Sequence, residues 1–128
     1  MREDWRRAVI GGDLAAVRSL LDIGADVDAL DDHGQTALML AAHYGHRAVV
    51  EELIAHKAKL DVTAKYGLSA LMLAIVAHRR DVALVLARSK ARGDLVGSGA
   101  PGFEGKTARD LAAKLGMDEV VEALDARG

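Results

Sequence analysis

One stretch of this chain is written twice. Gly34-Gln-Thr36-Ala-Leu38-Met-Leu40-Ala and Gly67-Leu-Ser69-Ala-Leu71-Met-Leu73-Ala coincide at a shift of 33 residues, from Gly34 to Gly67. A period in the range of 20–50 residues means a stacked array: each unit is too small to bury its apolar face alone and borrows cover from its neighbours. Between these blocks, Asp31 to Asp61 reads as a turn, a helix of small residues, a Gly break, a longer amphipathic helix and another turn. That order predicts helix pairs joined by projecting turns.

Two further copies extend the array. Ala8, Gly12, Val17, Leu20, Leu21, Gly24, Ala25, Asp26 and Asp28 fall in register before it, and Gly105, Thr107, Leu111, Ala113, Gly116, Val120, Val121 and Leu124 follow at a longer shift of 38, from Gly67 to Gly105. The best copy carries Asp31, Gly34, Thr36, Leu38, Ala41, Ala42, Gly45, His46, Val49, Val50, Leu53, Ile54, Ala58 and Asp61. In period and in these residues the chain resembles the ankyrin repeat. The resemblance implies an all-α solenoid of helix-turn-helix repeats joined by β-hairpin-like turns. The chain then divides into an N-terminal cap repeat at 1–30, repeats at 31–62 and 63–95, a Gly-rich inserted loop at 96–104 and a C-terminal cap repeat at 105–128.

Composition narrows the function. A formal net charge of −2 argues against a dedicated nucleic-acid binder, which would be strongly basic. Nothing approaches the apolar run of about 18 residues that spans a membrane. Met1-Arg-Glu-Asp-Trp lacks the pattern of a secretory signal, so cytoplasm is the default compartment. Cysteine is absent, which removes disulfides and Cys-based metal or nucleophile sites. With four aromatic residues and an apolar share made mostly of Ala, Leu and Val, the core is shallow and the helices pack closely.

Along the chain, helices are expected from about Glu3 to Ile10 and Asp13 to Asp22. Trp5 takes the register position of Leu38 and seals one end of the stack. Thr36 is placed to cap its helix, and Thr107 with Asp110 has capping-box spacing. The family's usual Pro and His after that Thr are Ala37 and Met39 here, and Ala70 and Met72 in the next copy. The methionines are read as core. His78-Arg79 replaces the Gly45-His46 break, so a strained turn is expected, because glycine tolerates left-handed geometry at least cost. Leu38, Leu40, Ala41, Val50, Leu53, Leu71, Leu73, Ala74, Val85 and Leu86 form the expected core, and Val120, Val121 and Leu124 point inward in the last copy.

Few residues look chemical. Ala100 to Thr107 approaches the phosphate-loop pattern but lacks a preceding buried strand. His43 and His46 are separated by a helix-ending Gly45 and have no third metal ligand. Ser98 has no nucleophile elbow. No catalytic, metal or cofactor residue is assigned. The resemblance instead implies a non-enzymatic monomer that holds an unidentified protein partner on its concave helix-and-turn surface, by register Leu30, Asp32, His33, Gln35, His43, Tyr44, Lys65, Tyr66, Leu68, Phe103 and Lys106. A small molecule or nucleotide at the Gly-rich loop is the alternative. The turns also show a charge gradient, from Asp26, Asp28, Asp31 and Asp32 to Lys57, Lys59 and Lys65 and then to Arg88, Lys90, Arg92 and Lys106.

Overall fold

Side-chain caps start three of the four helices that the repeat predicts to be inner. In the computed structural model, which describes residues 1–98 and 104–126, the hydroxyls of Thr36, Ser69 and Thr107 accept from the backbone N–H three residues on. These hydroxyls satisfy donors that a helix start leaves free. At Thr107 the bond is reciprocal, with the Asp110 carboxylate accepting from the Thr107 N–H. The helices are α1 Glu3–Ile10, α2 Leu14–Asp22, α3 Ala37–Tyr44, α4 Arg47–Ala55, α5 Ala70–Val76, α6 Arg80–Arg88, α7 Ala108–Lys114 and α8 Asp118–Asp125. Among the described residues no strand forms; two isolated bridges, Val96 with Thr107 and Gly97 with Glu104, join the last turn.

The helices stack in two rows. α1, α3, α5 and α7 pack in sequence as the inner row, and α2, α4, α6 and α8 as the outer row. Leu38, Leu40, Ala41, Val50, Leu53, Leu71, Ala74 and Leu86 are buried as expected, as are Met39 and Met72. Trp5 is only 2% exposed, so it is core. Leu73 and Val85 are corrections, since each is only half-buried, whereas Val121, also half-buried, packs inward against the core as expected. Leu73 packs on the core only in part, although its register equivalent Leu40 is buried. Val85 occupies the register position of Ser19, Glu52 and Ala123, of which Ser19 is exposed and the other two half-buried, so this position lies at the edge of the core.

Backbone geometry repeats with the period. The turn between inner and outer helix uses a left-handed residue in every copy: Gly12 at φ 68°, Gly45 at 77°, His78 at 60° and Gly116 at 73°. The strained turn expected at His78-Arg79 is therefore present. Past the outer helices, Gly24, Lys57 and Lys90 share the same handedness, so two lysines also stand where glycine is cheapest.

Side-chain bonds then fasten copy to copy. The Asp28 carboxylate accepts from the Lys59 N–H at 2.9 Å, and one period later Asp61 accepts from the Arg92 N–H at 2.7 Å. At the other end of the helices, His46 Nε2 meets the Ile10 carbonyl at 2.6 Å, and one period later Arg79 Nε donates to the His43 carbonyl at 3.3 Å. An ordered, aligned set of turns follows.

Candidate protein-binding surface

The stacking leaves a row of helix ends and turns whose side chains have little to cover them. Tyr44 at the end of α3 is 45% exposed, and its ring makes an edge contact with His43 at 5.2 Å and a stacked one with His46 at 6.4 Å. Since His46 is itself bonded to the Ile10 carbonyl, the tyrosine rests on an anchored support. Large, ordered and half-open rings are suited to contact because they bury much area while losing few rotamers.

Tyr66 occupies the tip of the second turn at φ 66°, a costly conformation for a bulky side chain. Its carbonyl accepts from the Ser98 N–H at 2.7 Å, which ties this turn to the next one. The Lys65 ammonium lies 5.0 Å from the Tyr66 ring centroid, and the ring remains 41% exposed. A strained residue held by its surroundings in an open position is a reason to look for function there.

The remaining expected residues spread around these two rings. Leu30 is 50% exposed; Asp32, His33, His43, Lys65 and Lys106 are exposed, while Gln35 and Leu68 are half-buried. His43 and Tyr44 are brought together, as are Lys65 and Tyr66, but among the described residues no ring contact joins Tyr44 to Tyr66. Phe103 lies outside the described residues. Val96, 54% exposed, was passed over in the sequence although it is the register equivalent of Leu30 in the third turn. His46 and Arg79 were missed as supports, and their signal was the same 33-residue shift.

The charges of the first turn are largely committed to the backbone. Asp26 accepts from the Asp28 N–H, Asp28 from Lys59, and Asp31 from both His33 and Gln35. Displaced pKa values fall elsewhere and have structural causes. The Arg18 guanidinium holds the Glu52 carboxyl low, the Thr107 N–H does so for Asp110, and in the hydrogen-bonded Arg109–Asp125 pair the guanidinium is raised and the carboxyl lowered. Thr107, the hydroxyl of the phosphate-loop reading, is engaged in its cap. Among the described residues no three His, Asp or Glu gather as a metal would need, and no helix is long and apolar enough to cross a membrane.

Four helix pairs with repeating caps, turns and clamps now stand beside a direct match: a family model described as ankyrin repeats (3 copies) covers residues 6–96. The chain belongs to the ankyrin repeat family. Its members are protein-interaction modules. This ankyrin chain is 50% identical over 44 residues to human ankyrin repeat domain-containing protein 29, a match covering 34% of the chain and 15% of that protein. It also matches a chain in the solved structure of a predatory endopeptidase from Bdellovibrio bacteriovorus in complex with an immunity protein, with a TM-score of 0.86 and 30% identity. That likeness covers 99% of the ankyrin chain and 64% of the other. The ankyrin chain thus spans less than two thirds of either relative.

Proposed function

We propose that this chain is a non-enzymatic, monomeric module that binds a partner protein through the inner-helix ends and turns, with Tyr44, Tyr66 and Leu30 as anchors. The observation that carries this reading is Tyr66, a bulky residue held in left-handed geometry with its ring open beside Lys65. Asp32, His33, Gln35, His43, Leu68 and Lys106 form the surrounding polar and apolar rim, and Phe103 belongs to it by register. The similar solved structure is itself a complex between two proteins, which supports the same reading.

The test is to capture a partner on the unmodified chain and repeat the capture with Tyr44→Ala and Tyr66→Ala. Each substitution is expected to weaken binding by about 1–4 kcal/mol, as hot-spot rings do, while the melting temperature of Tyr44→Ala stays near that of the parent. Tyr66→Ala keeps a Cβ in the same strained geometry, so its stability also changes little. Partner retention by both variants at parental affinity overturns the assignment.

A further inference from the structure

The outer row carries a break in its own pattern. At the register position of Leu84 the other outer helices have Arg18, Glu51 and Glu122; at that of Val85 they have Ser19, Glu52 and Ala123. Across α2 and α4 these positions close the outer face with the Arg18–Glu52 ion pair, to which His56 adds a contact at 3.4 Å. α6 has no such closure. Leu84 and Val85 are half-buried there; both line a hollow of 470 Å³, Leu84 also lines one of 280 Å³, and a third of 630 Å³ adjoins them over Ala87 and Ala123.

These hollows make one trough along α6 and α8. The first and second share Arg80, Leu84 and Glu119 as walls, and the first and third share Arg88 and Glu119. One bank is mainly cationic, from Arg80 and Arg88, with Asp81 between them bonded to the Val82 N–H and Arg47 paired to Glu51; the other is anionic, from Asp118, Glu119 and Glu122. Among the described residues the side chains of Arg80, Arg88, Glu119 and Glu122 have no ion-pair or hydrogen-bond partner. The floor includes Leu84, Val85, Ala87 and Ala123, and Arg80 and Arg88 on one side face Glu119 and Glu122 on the other without pairing.

We propose that this trough is a second protein-docking surface, which takes an amphipathic helix of a partner. Its apolar stripe lies on Leu84 and Val85, carboxylates on one flank face Arg80 and Arg88, and cations on the other face Glu119 and Glu122. Arg80 and Arg88 are eight residues apart on one helix, so their Cα atoms stand about 12 Å apart along the axis, slightly more than two turns of a partner helix. Helices seat apolar stripes in grooves of this kind. The mixed banks disfavour a nucleic acid or an anionic lipid surface, because the glutamates would face like charge. This surface is on the outer row, so it is separate from the proposed site on the inner helices and does not depend on it.

The experiment uses the full chain and a fluorescent helix-forming peptide of about 15 residues, with a leucine stripe flanked by Glu on one side and Lys on the other. Two controls carry Glu on both flanks or Lys on both flanks. Anisotropy titration is expected to show the mixed peptide binding about tenfold more tightly than either control. Leu84→Glu is expected to weaken the mixed peptide by about tenfold or more. This variant restores the residue found at Glu51 and Glu122, and thermal melting checks that it folds. Tyr44→Ala should leave the peptide's affinity unchanged. Equal binding of the three peptides, no saturation of the mixed peptide up to about 1 mM, or indifference to Leu84→Glu overturns the proposal.

Discussion

At the scale of the residue, His78 shows how the array tolerates an expensive side chain. Its counterparts Gly12, Gly45 and Gly116 adopt the same positive φ without a Cβ. A left-handed L-residue costs roughly 1–2 kcal/mol, and the added freedom of glycine in the unfolded chain returns about 0.4–1 kcal/mol of that. His78→Gly is therefore expected to stabilise the chain by about 0.5–1 kcal/mol, seen as a higher urea midpoint at unchanged slope. A lower midpoint would show that the imidazole makes a compensating contact. The strain was legible in the sequence, because the Gly-His pair of one copy aligned with His78-Arg79. Arg79's role was not: that its Nε reaches the His43 carbonyl depends on the spacing between stacked helices, which one copy's sequence does not contain.

At the scale of the element, the caps translate directly from sequence into structure, and α7 gives a pH-dependent example. The Thr107 N–H bonded to Asp110 lowers the folded pKa of that carboxyl. A depressed carboxyl contributes stability that is fully present above its unfolded pKa and is lost as pH falls through its folded pKa. Melting temperature is thus expected to fall below about pH 4, and Asp110→Asn should flatten part of that fall while lowering stability at neutral pH. Parallel acid profiles for parent and variant would remove Asp110 from the cause. The outer helices were harder to read. Val85 reads as core by its offset beside Val82 and Leu86, yet its register position is Ser19 and Glu52 in the first two copies and only Ala123 in the last, and an apolar run gives no angle by itself. Only alignment of Val85 with Glu52 and Ser19 shows which way it faces. For the candidate surface, exposure of Tyr44, Tyr66 and Leu30 followed from register, whereas the bracing of Tyr44 by His46 and of Tyr66 by Ser98 required bonds between copies.

At the scale of the whole molecule, stability in a stack is shared between neighbours. The family match ends at residue 96, but the array does not: α7 packs on α5, α8 packs on α6, and the Leu124 side chain lies against Gly93, where an added Cβ would come within 3.0 Å of it. The Gly93 carbonyl also accepts from the Arg109 N–H at 3.2 Å. A chain shortened to residues 1–96 loses this cover, leaving the apolar faces of α5 and α6 in water at roughly 25 cal/mol for each Å² exposed. Exposure of about 400 Å² would then cost about 10 kcal/mol, comparable to the whole stability of a domain this size. The shortened chain is expected to lose a sharp thermal transition and to bind a hydrophobic dye, whereas the full chain should melt in one step. If the 1–96 chain melted cooperatively near the parental temperature without dye binding, the fourth helix pair would be an appendage to a self-sufficient three-repeat stack.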